Sequence, residues 1–479
     1  MNVKLRTTVL AALAAIAIPA NALATSAPAL TGTLDVTHDQ FADNEESVGM
    51  SPNGTLLASA WNDWDYNDGC GFSYSSSSGA AWAPHTFVPG FTAFTNDPSI
   101  PGTGSFAVAG DPAVAYNPRF NTFDVVCQAF GATGGAINLL ATTFNPSKAD
   151  PNANENASYI GTQNPWTHPV AITTGTSNGT QKGSNGKFPD HEFITVDANP
   201  SNAHYGRLFA TWAEFNGSGR SAAMLAYSDN NGTTWTGPIP VSDAQHKFDQ
   251  DVRATIAPDG TVYVTSNGGP NETSLTGDYI AVAASRDGGK SFGPTVVITS
   301  LIDPVPGLLP NSNYRVFSDV YSQADADGNV TAVFNDERSG HSAVYAVRTL
   351  QPGDISSWSS PALVKASSGE QFFPWISAAP SGRLDLAFYD RGHDPNDTLN
   401  WVDYNASTND GATWTETDST TSGANLDKYQ ACLAFVQPSN CDVFFIGDYI
   451  GVVSTNTSVH ILYTWNGPHA MDVYESNLS

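Results

Sequence analysis

Short runs of alternating hydrophobic and polar residues recur along almost the whole chain, and none has the spacing of an amphipathic helix. Seven stretches share one internal order. Each opens on a segment carrying an acid or another polar residue, passes a Pro, Asp or Asn turn close to glycine, and continues as a hydrophobic strand ending in aromatic and polar residues. The openings begin at Asn44, Gly110, Pro189, Gln250, Phe317, Gln371 and Ile446, as in "NEESVGMSPNG" and "QDVRATIAPDG". Second strands follow ("TLLASAWND", "RLFATWAEF", "RLDLAFYDR"), then third strands ("CGFSYS", "AMLAYS", "YIAVAAS") and, in most units, a fourth ("HPVAITT", "PTVVIT"). The seventh unit ends after its third strand, while "GTLDVTHD" near the start of the chain is a strand without a neighbour. Four-stranded antiparallel units repeated radially make a β-propeller. The expectation is therefore an all-β, seven-bladed ring over residues 25–479. The N-terminal strand completes the last blade and hides an edge that would otherwise invite pairing with other chains.

A second repeat lies within the first. "SDNNGTTW", "SRDGGKSF", "STNDGATW" and the degenerate "SSSSGAAW" each stand between a third and a fourth strand. Gly232, Gly288, Gly411 and Gly79 are expected to supply backbone freedom at a tight bend, and the following Trp or Phe to pack back on the sheet. This turn resembles the Asp box of the bacterial neuraminidase repeat, found in sialidases and other secreted propellers. The resemblance implies the sialidase-like propeller fold. It also brings the family's chemistry into view: three arginines gripping a sugar carboxylate, and a Tyr–Glu nucleophile pair. The early F/Y-R-I-P arginine has no counterpart, since no arginine lies between Arg6 and Arg119. Sialidases resemble one another in six blades. Seven blades are similar instead to those of secreted polysaccharide lyases, which cut uronic-acid glycans by β-elimination.

Composition narrows the partners. Net charge is −27 with a pI near 4.4, which excludes a phosphate-binding basic face and so nucleic acid. Lys4 and Arg6, the apolar run Val9–Ala20 and Ala22-Leu23-Ala24 read as a secretory signal peptide over residues 1–24. No segment is long enough to insert in a membrane. Export favours disulfides, with Cys70–Cys127 and Cys432–Cys441 as the expected pairs. A monomer acting on an acidic glycan is expected.

The starts of first strands and the ends of second strands should share one rim of the channel. Arg253, Arg315, Arg338 and Arg391 all fall there, in a chain with few basic residues. They either grip an acidic sugar or pair with neighbouring aspartates such as Asp251 and Asp336. For a lyase, His191 and Tyr449 are the candidate base and acid, with Arg253 and Arg315 neutralising the enolate. For a hydrolase, Tyr449 or Tyr314 would act with Glu192 or Glu214. Arg338, Arg391, Glu214, Asp63, Trp64 and His393 are the expected substrate contacts. Asp111, Asp190, Asp251, Asp319 and Asp448 recur at unit openings and could hold structural Ca²⁺; no cofactor is required for the chemistry.

Overall fold

The computed structural model describes residues 27–479 apart from 39–41, 65–68, 94–102, 132–134, 150–164, 177–185, 218–219, 270–277, 419, 429–430 and 433–443. The leader at 1–24 and Cys441 lie outside the described residues, as does the side chain of Cys432, so the second expected disulfide does too.

Seven four-stranded antiparallel sheets follow in chain order. Their first strands are Asp43–Met50 in blade 1, Val108–Asn117 in blade 2, Lys187–Val196 in blade 3 and Asp249–Ile256 in blade 4. Val320–Ala324, Gln371–Ala378 and Gly451–Ser454 open blades 5, 6 and 7. The last sheet takes its outer strand from the other end of the chain: Leu30–Asp35 pairs antiparallel with Met471–Leu478, Leu34 opposite Glu475. The propeller and its closing strand are thus as the sequence pattern predicts. Blade 5 carries an extra hairpin before its first strand, Pro306–Leu308 with Arg315–Phe317.

The repeated turns explain their own composition. In "SDNNGTTW" the Ser228 Oγ accepts from Gly232 N at 3.0 Å, and Asn230 Oδ1 accepts from Thr234 N at 2.9 Å. Asn231 and Gly232 both lie in the left-handed region, φ 56° and 73°. Ser285, Ser407 and Ser75 make the same bond to Gly289, Gly411 and Gly79. In register, Gly289 rather than Gly288 matches Gly232. Trp235 and Trp414 pack against the largest core cluster, which runs through several blades.

Cys70, in the third strand of blade 1, is bonded to Cys127, in the second strand of blade 2, across 57 residues of chain. This staple spans two blades, and its removal in the Cys70→Ala/Cys127→Ala double variant is expected to cost about 2–4 kcal/mol, read from the urea midpoint.

Glu46 is sealed between blades 1 and 7, where the Thr464 hydroxyl donates to its Oε2 at 2.9 Å. Burial pushes this carboxyl from the ordinary 4.5 up to about 8, against the opposing hydrogen bonds. The folded state therefore keeps a proton that the unfolded state gives up. Glu46 contributes a stability that is full below about pH 4.5 and falls by about 1.4 kcal/mol per unit until pH passes about 8. Glu46→Gln is expected to flatten that slope, measured by denaturant unfolding at about pH 5 and about pH 8.

Candidate functional site

Five first strands carry the same fault. The ladder slips between Asn44 and Ser47, Gly110 and Ala113, Asp190 and Phe193, Gln250 and Arg253, and Phe372 and Trp375. Within each slip one residue is left-handed: Glu45 at φ 57°, Asp111 at 52°, His191 at 53°, Asp251 at 51° and Phe373 at 52°. A bulge of this kind bends the strand and re-aims a side chain. Here four of the five turn into one cavity of about 270 Å³, where they meet Asp319 and Asp448 from blades 5 and 7. Non-glycine residues pay strain for this conformation, which the surrounding ladder must hold in place.

The cavity is lined by Glu45, Asp111, Asp190, His191, Asp251, Asp319 and Asp448, by Asn62, Gln128, Gln250 and Asn267, and by Arg315. Trp64, Phe130, Phe188, Phe317 and Phe445 give it aromatic walls. Arg315 lies between the rings of Phe317 and Phe445, 5.4 and 4.8 Å from their centroids. Its Nε donates to Asp448 Oδ1 at 3.2 Å and its Nη2 to Asp448 Oδ2. Asn62 donates to Glu45 Oε2 at 2.6 Å while its Oδ1 accepts from Asp111 N. Asn267 donates to Asp251 Oδ2 at 2.8 Å.

His191 is held through both ring nitrogens. Nδ1 lies 2.9 Å from Asp251 Oδ1 and Nε2 lies 2.9 Å from Arg253 Nη2. Its face stacks on Tyr449, centroids 5.6 Å apart at 19°. Tyr449 and Arg253 form the floor beneath it rather than the lining, and Tyr449 points its hydroxyl at Pro112 O, 3.4 Å away.

Crowding of carboxylates changes their charge. Burial first, then the charges of Asp111 and Asp448, hold Glu45 well above the usual carboxylate range. Burial and the Asp251 and Asp448 charges do the same to Asp319. Asp190 rises to about 6, mainly by burial and then by Asp111. Asp251 is lowered: burial works against its charge, but His191 and Arg253 outweigh it. Burial and Arg253 disfavour protonation of His191, yet the Asp251 and Asp448 carboxylates pull its pKa upward overall. That upward pull conflicts with the hydrogen bonds. A protonated ring would set Nε2–H against the Arg253 donor, so the neutral form, with its proton on Nδ1, is the one the geometry satisfies. Burial and crowding thus favour the protonated forms of Glu45 and Asp319, which lessens the negative charge the six carboxyls would carry.

The expected residues are sorted by this arrangement. His191, Arg315, Trp64, Asp111, Asp190, Asp251, Asp319 and Asp448 meet in the cavity, with Arg253 and Tyr449 directly below. Glu192 is sealed beneath, and burial raises its pKa well above the ordinary value. Asp63 is fully buried at the end of its strand. Glu214 pairs with Lys187 at 2.8 Å. Two of the four expected arginines stand apart. Arg338 is tied to Asp336 and to Ser300 O. Arg391 is buried against Pro310 O, Asn400 and the Tyr314 hydroxyl. His393 lies in another cluster, 3.1 Å from Asp403. Among the described residues, His393, Asp403 and Glu416 are the trio close enough to share a metal ion, within 4.8 Å, and the Lys365 ammonium already bonds Asp403 and Glu416 there. The five aspartates assigned to Ca²⁺ do not form such a trio. Asp190 also precedes the bulge position, which His191 occupies. Glu45 falls at a strand start, but neither it nor the four phenylalanines carries an expected role; two polar residues in succession mark the bulges of blades 1, 3 and 4, and a proline, Pro112 or Pro374, marks those of blades 2 and 6.

No family model matches the sequence. A curated sialidase of Micromonospora viridifaciens is 26% identical over 185 residues, 39% of this chain. The match spans only 26% of that relative's length. Among solved structures, the intramolecular trans-sialidase of Ruminococcus gnavus is similar over 79% of this chain and 96% of its own, at 13% identity and TM-score 0.43. A polysaccharide lyase, an ulvan lyase with a bound glycan, is similar over 91% and 94%, at 10% identity and TM-score 0.46.

Proposed function

We propose that this protein is an exported enzyme that cleaves a carboxylate-bearing glycan at the channel mouth, by β-elimination beside a uronate. The observation that carries the reading is the meeting of Arg315 and His191 in one aromatic-walled cavity. Arg315 spends Nε and Nη2 on Asp448 and keeps Nη1 for a substrate carboxylate. Its charge stabilises the enolate that forms when the neighbouring C–H proton leaves. His191 takes that proton at Nε2 once the Arg253 bond gives way. The C–H pair becomes the new C=C bond, the glycosidic C–O bond breaks, and the Glu45 carboxyl, whose pKa is held well above the usual range by burial and then by the Asp111 and Asp448 charges, protonates the departing oxygen.

Hydrolysis through a tyrosine nucleophile is less well supported. Burial first, then the Glu45 and Asp111 charges, hold the Tyr449 hydroxyl well above its usual pKa. The curated sialidase relative supports glycan chemistry in general without choosing between the two reactions. Export is supported by the leader-like N-terminus, the Cys70–Cys127 bond and the lack, among the described residues, of any helix long and apolar enough to cross a membrane.

The test is a panel of uronate-bearing and sialylated glycans incubated with the protein. Ultraviolet absorbance from an unsaturated uronate is the expected result. Release of free sialic acid would replace elimination with hydrolysis, and retention without turnover would make the protein a glycan-binding propeller.

A further inference from the structure

Arg253 is an unusual cation. It is 4% exposed, and no carboxylate of the described residues forms an ion pair with it. Its guanidinium instead sits among four rings: Phe193 from blade 3 at 5.2 Å, Tyr321 from blade 5 at 5.7 Å, Trp375 from blade 6 at 5.5 Å and Tyr449 from blade 7 at 5.3 Å. Rings contributed by four blades around a residue of a fifth place it at the centre of the propeller. Among the described residues, its Nε has no hydrogen-bond partner. Its one polar side-chain contact among the described residues is the bond from Nη2 to His191 Nε2. A buried, unpaired charge is costly, and cation–π attraction offsets only part of that cost. Such a group is retained where its direction matters.

We infer that Arg253 is a positioning residue: it holds His191 as the neutral imidazole with its proton on Nδ1, and acts on the reaction only through that ring. The inference rests on the site reading above and changes the role expected for Arg253, which does not reach the cavity to neutralise an enolate. The groups facing His191 set the balance. Asp251 accepts from Nδ1 and is itself beside Asp319; Asp190 precedes the ring in its own strand; Asp448 and Tyr449 approach from blade 7. All the carboxylates favour an imidazolium. Arg253 is the one charged neighbour that opposes it and also consumes the Nε2 lone pair. Without it the ring would stay protonated to higher pH and would no longer be poised to accept a proton.

The experiment is a ¹⁵N-resolved NMR titration of the His191 ring in the full chain, without substrate, for wild type, Arg253→Lys and Arg253→Met. Wild type is expected to show Nδ1 protonated and Nε2 as a hydrogen-bonded acceptor. In Arg253→Met the midpoint of His191 should rise by about one unit or more, a tenfold change in proton affinity. Arg253→Lys, which keeps a donor and a charge, should fall between. A wild-type proton on Nε2, or a midpoint unmoved in Arg253→Met, would overturn the inference. If Arg253→Met does not fold, the wild-type tautomer and the lysine variant still decide. Because the readout needs no turnover, it fails separately from the proposed activity. Where turnover is measured, the acid limb of kcat/KM should move with the NMR midpoint, which a purely structural role would not produce.

Discussion

Replacing Arg315 by methionine is expected to lower kcat/KM on a uronate-bearing glycan by about a hundred- to a thousandfold. The reason is geometric. Arg315 is the arginine that lines the cavity, and about a quarter of its side chain, 26%, is exposed there. Its charge counts only where the substrate's charge develops, so the loss should appear in kcat as well as KM. The Phe317 and Phe445 rings that flank it keep their packing against the methionine stem. Arg338→Met is the control. Its guanidinium is bound to Asp336 and to Ser300 O away from the cavity, and activity should stay within about twofold of wild type by the same argument. Equal losses in the two variants, measured by steady-state kinetics, would show that the arginines act through stability and not through a carboxylate.

Deleting Leu30–Asp35 should have the largest effect on stability. That strand makes five paired positions with Met471–Leu478. At about 1 kcal/mol for each net hydrogen bond, its removal costs about 5 kcal/mol, comparable with the whole stability of many domains. It also bares a long hydrophobic strand edge, in which Met471, Val473 and Leu478 are fully buried at present. The expected outcome is loss of the cooperative thermal transition and concentration-dependent aggregation, followed by calorimetry and light scattering. Supplying the segment as a peptide should restore part of the transition. A truncated chain that melts cooperatively at the wild-type temperature would mean the ring closes by other contacts.

The propeller was legible because its signal is repeated. One "TLLASAWND" says little, but seven strands of that kind, each in the same place after a polar opening, admit few arrangements. The closing strand was legible by shortage: a seventh unit with three strands and a lone strand at the other end. The site was legible only in outline. His191 and the recurrent aspartates follow from their place at strand starts, which the ring brings to one mouth, whereas Arg315 arrives on the extra hairpin ahead of blade 5. What the pattern hid is the one-residue slip in five of the seven first strands. A slip exchanges the side chain that faces the channel with its neighbour, so Asp190 took the place in the aspartate series that His191 holds in space. Arg338 and Arg391 misled for another reason. They sit just past the ends of their second strands, Val330–Asp336 and Leu384–Asp390. There Asp336, two residues before Arg338, and Asn400, nine after Arg391, capture them. Together with Ser300 O for Arg338, and Pro310 O and the Tyr314 hydroxyl for Arg391, these partners serve structure, and periodicity alone does not tell them from ligands.

A crystal structure of the protein soaked with a uronate-bearing oligosaccharide tests the central claim most directly. The account predicts the glycan at the channel mouth, with a carboxylate oxygen within hydrogen-bond distance of Arg315 Nη1, a sugar ring against Phe130 or Phe188, and the adjoining C–H facing His191. A glycan seated on the outer strands of the blades, or in the cavity with its carboxylate turned away from Arg315, would contradict it.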